Sequence, residues 1–367
     1  MITPSVGYRI EGSNDEEPKL FDCTAVPNLL EGVFDLSDND SLYYRDHFLN
    51  KDHLNFLSTA SPDNPISISV ILDGDSKNYS GLVRTSTGNQ RVKVSSDTVK
   101  PTWWRRIFRV GPSPYDILRS ISPQHTQSNL KLISDQRLPQ ALMNLEEKQT
   151  IKGFKFGILY AQEAQTKEDE MFANVDASPE FEEFLDFIGE RVQLNGWPNF
   201  RAGLDVRTGT TGTHSIYQRW NNNEVMYHVS SLLPFNEKDK QQLERKRHIG
   251  NDIVVIVFQD GDTIYRPTTI SSRQVHVVLV VKATTLESDP GQRYYRLAVV
   301  SKDSVPEFGP AMPNNGIFKK DPSFKEFFYA KLLNAEKASY SAQILENKLS
   351  RTRKALLKDV AEAKWNQ

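Results

Sequence analysis

Between residues 66 and 94 the apolar positions alternate with polar ones: Ile66, Ile68, Val70 and Leu72 first, then residues 81–84, then residues 91–94. Asp73-Gly74 and Gly88-Asn89 break the alternation with turn chemistry, so an antiparallel meander is predicted. Farther along, the period lengthens. Residues 154–160 read as a strand, and Ser178-Pro179 opens a helix whose Phe181, Phe184, Leu185, Ile188 and Val192 recur at helical spacing. That stripe is expected to be core. Strands are predicted at 224–230, 253–258, 275–281 and 294–300, and the middle two are apolar almost throughout, as strands covered on both faces are. Residues 323–338 and 340–363 read as helices. The last is heavily charged, with Leu345, Leu349, Leu356 and Val360 on a narrow stripe, and is expected to dock on the larger domain.

The pattern gives a two-domain α/β (α+β) chain. A flexible polar segment covers 1–40, where Gly12-Ser13-Asn14-Asp15-Glu16-Glu17-Pro18 and Asp38-Asn39-Asp40 read as loop. A smaller, β-rich antiparallel domain covers 41–128 and ends in a proline- and serine-rich linker over 101–128. A central mixed sheet flanked by helices covers 129–367. The length, 367 residues, suffices for two cores.

Charge and motifs remove several function classes. A formal net charge of −2 lacks the basic excess of a general nucleic-acid binder, so a basic site must be local. Cys23 is the sole cysteine, which rules out an internal disulfide. No apolar run is long enough to span a bilayer, and Met1-Ile2-Thr3-Pro4 does not open a signal peptide, so a cytoplasmic protein is expected. The chain has no G-x-x-x-x-G-K-[ST], C-x-x-C, H-E-x-x-H or G-x-S-x-G, and neither a metal site nor a self-contained enzyme is expected. Gly209-Thr210-Thr211-Gly212-Thr213-His214 reads as a turn.

Two basic segments remain. Trp103-Trp104-Arg105-Arg106-Ile107-Phe108-Arg109 reads as two tryptophans packed between domains with arginines at the edge; an anchor to an anionic membrane surface and a homodimer contact are its alternatives. Arg245-Lys246-Arg247-His248 ends a polar run that Asn236 is expected to cap, with Glu237 and Asp239 in the first turn. Gly250 fits the position just past the helix, where φ is often positive. Locally these cations read first as stabilising a helix C-terminus, and a site facing a phosphate is the alternative.

Longer stretches carry a resemblance. Lys155-Phe156-Gly157-Ile158-Leu159-Tyr160, Phe200-Arg201-Ala202-Gly203-Leu204-Asp205, Gly212-Thr213-His214-Ser215-Ile216-Tyr217, Met226-Tyr227-His228-Val229-Ser230, the run from Gln241 through Arg245-Lys246-Arg247-His248-Ile249-Gly250-Asn251-Asp252, and Leu332-Leu333-Asn334-Ala335-Glu336 occur in the order found in the catalytic region of the Rap GTPase-activating proteins. The chain resembles that family over about 150–360, with wording nearer its signal-induced proliferation-associated branch. Residues 44–56 are similar to the start of the smaller domain through which some members dimerise.

The resemblance implies a G-domain-like sheet and an activator that completes a partner's active site. Ras-type hydrolysis uses a side chain to orient the attacking water, usually a glutamine that Rap lacks. In the family an asparagine thumb supplies that carboxamide, and the matching residue is Asn251. Its oxygen can accept from water while its NH₂ donates toward a phosphate oxygen. The resemblance makes His248 a support of the thumb and matches His228 to a position important for activity. Arg245, Lys246 and Arg247, joined by Lys152 and Lys155, are expected to face the GTPase. No cofactor is expected; GTP and Mg²⁺ belong to the partner, a Rap-family GTPase in its GTP-bound state, which would recruit the chain to membranes. An arginine finger from Arg245 or Arg247 is the rival mechanism. Rheb or Ral as substrate, and a scaffold that docks a GTPase without activating it, are the rival functions.

Overall fold

The computed structural model describes residues 2–13, 17–26, 38–58, 64–74, 77–108, 110–126, 128–149, 151–340 and 342–366. Residues 14–16 and 27–37 of the expected N-terminal segment, and Arg109, lie outside the described residues.

The chain begins with β1 (Tyr8–Glu11) and β2 (Lys19–Phe21), followed by α1 (Asp38–His47). Four strands come next: β3 (Leu54–Ser58), β4 (Ser67–Asp73), β5 (Asn78–Thr85) and β6 (Gly88–Ser95). Then come α2 (Trp103–Ile107), α3 (Pro114–Ile121), β7 (Leu130–Ile133) and α4 (Leu138–Gln149). The second half runs β8 (Gly153–Ala161), α5 (Glu168–Phe172), α6 (Pro179–Ile188), β9 (Glu190–Gln193), β10 (His214–Trp220), β11 (Asn223–Val229), α7 (Leu243–Ile249), β12 (Val254–Gln259), β13 (Val277–Leu286), β14 (Asp289–Lys302) and β15 (Gly316–Lys319). Two helices close it, α8 (Pro322–Ser339) and α9 (Gln343–Glu362).

These elements form two compact units, Met1–Phe34 with Lys152–Gln343, and Asp35–Ile151 with Ile344–Gln367. The smaller unit is an antiparallel sheet in the order β6-β5-β4-β3-β7, and the meander expected from alternation is β4-β5-β6. One face buries Phe56, Ile68, Val70 and Val83 with Ile117, Leu118 and Ile121 of α3. Residues 101–128 are therefore not a plain linker. Ser113 accepts from the Asp116 amide, and the Asp116 carboxylate accepts from the Ser113 amide, so a capping box starts α3. The other face buries Tyr44, Phe48, Leu57, Leu82 and, from α4, Leu138, Leu142 and Met143, with Val360 and Trp365 packed against them. That explains two departures from the expected boundaries. β7 pairs with β3, and the C-terminal helix completes the smaller unit, so the units divide at 151/152 and 343/344. Within 1–40, residues 8–11 and 19–21 are strands paired to β14 and β15, and Asp38-Asn39-Asp40 opens a helix.

The larger unit holds a ten-stranded mixed sheet among the described residues, ordered β2-β15-β14-β13-β12-β8-β11-β10-β9 with β1 on β14. At its centre β11, β8 and β12 are parallel, and Gly157 of β8 is level with His228 on one side and Val255 on the other. Both faces are covered, as the continuous apolar strands required. On one, Tyr160 and Phe258 meet Phe181 and Phe184 of α6, and Phe184 meets Tyr295 and Phe328. On the other, Leu159, Val255 and Val257 pack with Met226 and Ile249. The predicted cap of α6 is present: Ser178 accepts from the Phe181 amide at 3.3 Å.

The β11-to-β12 connection carries α7 over β8. Gly157 permits the close fit, because a Cβ there would lie 2.6 Å from Ile249 Cγ2 and 3.2 Å from Asp252 Oδ2. No other residue lets the end of α7 sit so near the sheet.

Candidate functional site

The approach to α7 is not helical as far back as Asn236. Residues 236–242 fold into turns locked by side chains, and the helix proper starts at Leu243. Asn236 Oδ1 accepts from the Lys238 amide at 3.1 Å, and Asp239 Oδ2 accepts from the Leu243 amide at 2.7 Å. Gln242, buried and left-handed at φ 49°, donates to the Asn236 and Asp239 carbonyls at 2.6 and 2.5 Å. Short polar side chains here satisfy the backbone locally, which is why helical spacing overextended the element. The cap position of α7 is Gln242, not Asn236, and Asp239 from the preceding turn takes the first helical amide.

Three cations on α7 have three fates. Arg245 is buried at 2% exposure and turned inward. Its Nη1 donates to the carbonyls of Phe172 and Asn174 at 2.8 and 2.7 Å, and its Nη2 to Leu233 at 3.0 Å. Burial pulls the guanidinium down to about 10, still charged at neutral pH. It fastens α7 to the end of α5 and the chain after β11, and faces no partner. Lys246 pairs with Glu168 at 3.2 Å and with Asp169. Arg247 alone is exposed, paired to Glu244 at 2.7 Å on the same helix. We expect Arg245→Met to destabilise the larger unit by about 3 kcal/mol through orphaned carbonyls, read as a lower denaturation midpoint. A loss of partner binding with unchanged stability would contradict the inward role.

Beyond α7 the chain makes one further turn before β12. Gly250 has φ −68°, not the positive value expected; it is small because a Cβ would come 2.5 Å from the Lys246 carbonyl oxygen. Asn251 is exposed at this turn. Its Nδ2 donates to the Arg247 carbonyl at 2.7 Å, and Oδ1 accepts no hydrogen bond among the described residues. The exposed carboxamide is thus tethered by one N–H.

Under Asn251 lies a buried polar cluster. Asp252 is fully buried; Oδ1 accepts from Lys155 Nζ at 2.9 Å and Oδ2 from His228 Nδ1 at 2.8 Å. Lys155 Nζ also donates to the Asn251 carbonyl at 2.9 Å. His228 Nε2 faces the Ala202 carbonyl at 3.0 Å, so a proton on each ring nitrogen completes both bonds. Ala202 has φ 51°, which aims that carbonyl inward from the loop before β10. His248 stacks edge-on against His228, centroids 5.3 Å apart. Burial, with His228 and Arg247 beside it, holds the His248 imidazole below its ordinary value, so it is neutral at pH 7. Lys152 is exposed just before β8, and strand parity puts it on the opposite face from Lys155.

The structure therefore gathers Asn251, His248, His228 and Lys155 into one site and separates Lys152 and Arg245 from it. Sequence reading gave Asp252 no role, although it ties the cluster together. Its place between the matched asparagine and an apolar strand was the available signal. Glu336 of α8 is a second such residue. Burial pushes its carboxyl up to about 7; Tyr340, which donates to Oε1 at 2.6 Å, opposes this, and the Asp252 charge adds to it. A carboxyl with a higher pKa folded than unfolded holds its proton longer in the native state, so stability falls as pH rises from 4.5 through about 7. Glu336→Gln is expected to gain thermal midpoint over the parent as pH rises from about 5 to about 8, checked by melting both proteins across that window.

Among the described residues no cluster of His, Cys, Asp and Glu could hold a metal, and no helix is long and apolar enough to cross a membrane.

Comparison with known proteins matches this sequence to one family. The Rap/ran-GAP profile covers residues 171–354, half of the chain. Signal-induced proliferation-associated protein 1 of Homo sapiens is 39% identical over 330 residues, covering 87% of this chain and 31% of that protein. A PH and Rap-GAP domain-containing protein of Dictyostelium discoideum is 38% identical over 314 residues, covering 82% of this chain and 26% of its own length. A solved GAP domain of TSC2 is 31% identical and aligns with 53% of this chain and 99% of its own at a TM-score of 0.45. The chain belongs to the Rap/ran-GAP family, whose members are GTPase activators. It spans between about a fifth and two fifths of the length of the curated relatives it matches.

Proposed function

We propose that this chain stimulates GTP hydrolysis by a Rap-type small GTPase, presenting Asn251 to the partner's active site as the carboxamide that orients the attacking water. The supporting observation is the contrast at residues 251 and 252. Asn251 is exposed and its side-chain oxygen accepts no bond among the described residues, while its own carbonyl is held by Lys155 and the next residue is fully buried. A rigidly mounted, exposed carboxamide suits catalysis that works by holding water near attack geometry. The N–H bonded to Arg247 orients the amide, leaving the oxygen and the second N–H for water and phosphate. GTP and Mg²⁺ remain the partner's, and the chain contributes no covalent step.

His248 and His228 act on the mount: one packs beside it, the other clamps Asp252 to Ala202. Of the two arginines weighed for a finger, Arg245 is occupied inside the fold, so only Arg247 is available to touch a partner.

The test is a multiple-turnover assay of GTP-loaded Rap, Ral, Rheb and Ras proteins. Acceleration of Rap is expected, and binding of Rap without acceleration would refute the activator reading. A larger effect on Ral or Rheb would keep the activity and reassign the partner.

A further inference from the structure

Among the described residues, five of thirteen exposed large apolar side chains fall within eight positions: Trp103 at 75%, Trp104 at 45%, Ile107 at 64%, Phe108 at 73% and Val110 at 44%. They are not packed into the core of their own unit. Exposed apolar residues scattered singly need no explanation, whereas a contiguous group of this kind marks a surface that something covers.

The geometry of α2 narrows what that is. At about 100° per residue, Trp103, Ile107, Trp104 and Phe108 fall in that order within about 140° of the helix circumference. Arg105 and Arg106 then lie at the two borders of that arc. Arg105 is held by a 2.8 Å bond from Nε to the Gly111 carbonyl and by its position over the Trp104 ring. Arg106 is exposed and has no carboxylate partner among the described residues. The next element anchors the segment, since the capped α3 buries Ile117, Leu118 and Ile121 in the sheet. An indole-rich apolar face bordered by guanidinium groups is the arrangement that lies in the plane of a bilayer interface, rings among the acyl chains and cations at the phosphates.

A second copy of the chain fits less well. A stable protein interface takes roughly 20–30 residues from each side, and this protrusion offers a single helical turn. Charge points the same way, because two copies would bring their arginines together.

We propose that α2 is a membrane-docking element that inserts Trp103, Trp104, Ile107 and Phe108 into the interface of a bilayer containing anionic lipid, with Arg105 and Arg106 on the headgroups. This does not depend on the activator function. Each arginine is worth about a fivefold change in partitioning, and their removal should be more damaging than added salt alone reveals.

The full chain is sedimented with vesicles of phosphatidylcholine alone and with vesicles containing about a third phosphatidylserine. Pelleting with the anionic vesicles is expected, little with the neutral ones, and release as salt is raised. Arg105→Gln with Arg106→Gln should weaken binding about 25-fold, and Trp103→Ser by about tenfold or more. Trp103 and Arg106 are exposed, Arg105 is half-buried with its Nε on the Gly111 carbonyl, and equal thermal midpoints check that both variants are folded. Should Trp103→Ser fail that check, the arginine variant and the lipid comparison still decide. A parent protein that stays in the supernatant with every vesicle overturns the proposal. So does equal pelleting of the variants, and so does a self-association in sedimentation velocity that Trp103→Ser abolishes without any vesicle binding.

Discussion

Replacing Asn251 by alanine is expected to remove nearly all of the GTP hydrolysis that the chain stimulates in a Rap-type GTPase. The loss should be at least about 10²-fold in kcat, the scale for a water no longer held in attack geometry. KM for the GTPase should change little, because the side chain is small and the exposed surface around it is kept. Stability should also be unchanged: Asn251 is exposed, and its one side-chain bond goes to the Arg247 carbonyl. Arg247→Ala gives the contrasting pattern, a KM raised several-fold with kcat preserved, as for a charge at the edge of an interface. An arginine finger would reverse the two, with a loss of about 10³–10⁵, or roughly 4–7 kcal/mol, at Arg247. Single-turnover rates at saturating activator separate these outcomes. Full stimulation by the Asn251→Ala protein would sink the assignment.

The second large effect is expected at Asp252. Its carboxylate is the common acceptor of Lys155 and His228, at 2.9 and 2.8 Å, with no exposure of its own. Asp252→Ala leaves His228, 2% exposed, without its acceptor at a cost of about 1–3 kcal/mol, whereas the Lys155 side chain, 36% exposed, recovers water. Lys155 would then be held near Asn251 only by the backbone carbonyl. We therefore expect a fall of roughly 5 °C in the melting transition of the larger unit, and a loss of stimulated hydrolysis at temperatures where the variant is still folded. Asp252→Asn retains the shape and should be milder on both counts. A variant as stable as the parent but inactive would move Asp252 from the mount to the contact surface.

Much of the fold was legible because it rests on local periodicity. β4, β5, β6, β8 and β11 to β14 stand where alternating or continuous apolar runs placed them, and Ser178 and Pro179 marked the start of α6 correctly. What escaped depended on distant partners. β1, β2 and β15 are three or four residues long and exist through pairing with β14 or with each other. The apolar stripe of α9 predicted a docked helix, but its partner, α4, lies some two hundred residues earlier. At the site, residue type was readable and direction was not. Arg245, Lys246 and Arg247 are one cationic run in the sequence, yet one side chain fastens carbonyls, one pairs with α5 and one meets solvent. Asn251 was reached through resemblance. Neither hydrophobic pattern nor capping signals distinguish it from an ordinary turn asparagine.

The smaller unit is assembled from two separate lengths of chain, and this bears on how the protein can be cut. The stretch that matches the family profile begins at residue 171, after β8, and ends at 354, within α9. A fragment with those limits would lack the strand between β11 and β12, and with it Lys155 and the glycine under α7. It would also carry half of a helix whose apolar partners had been left behind. The limits of the profile match are not limits at which the larger unit folds, and an excised larger unit has to start before residue 153.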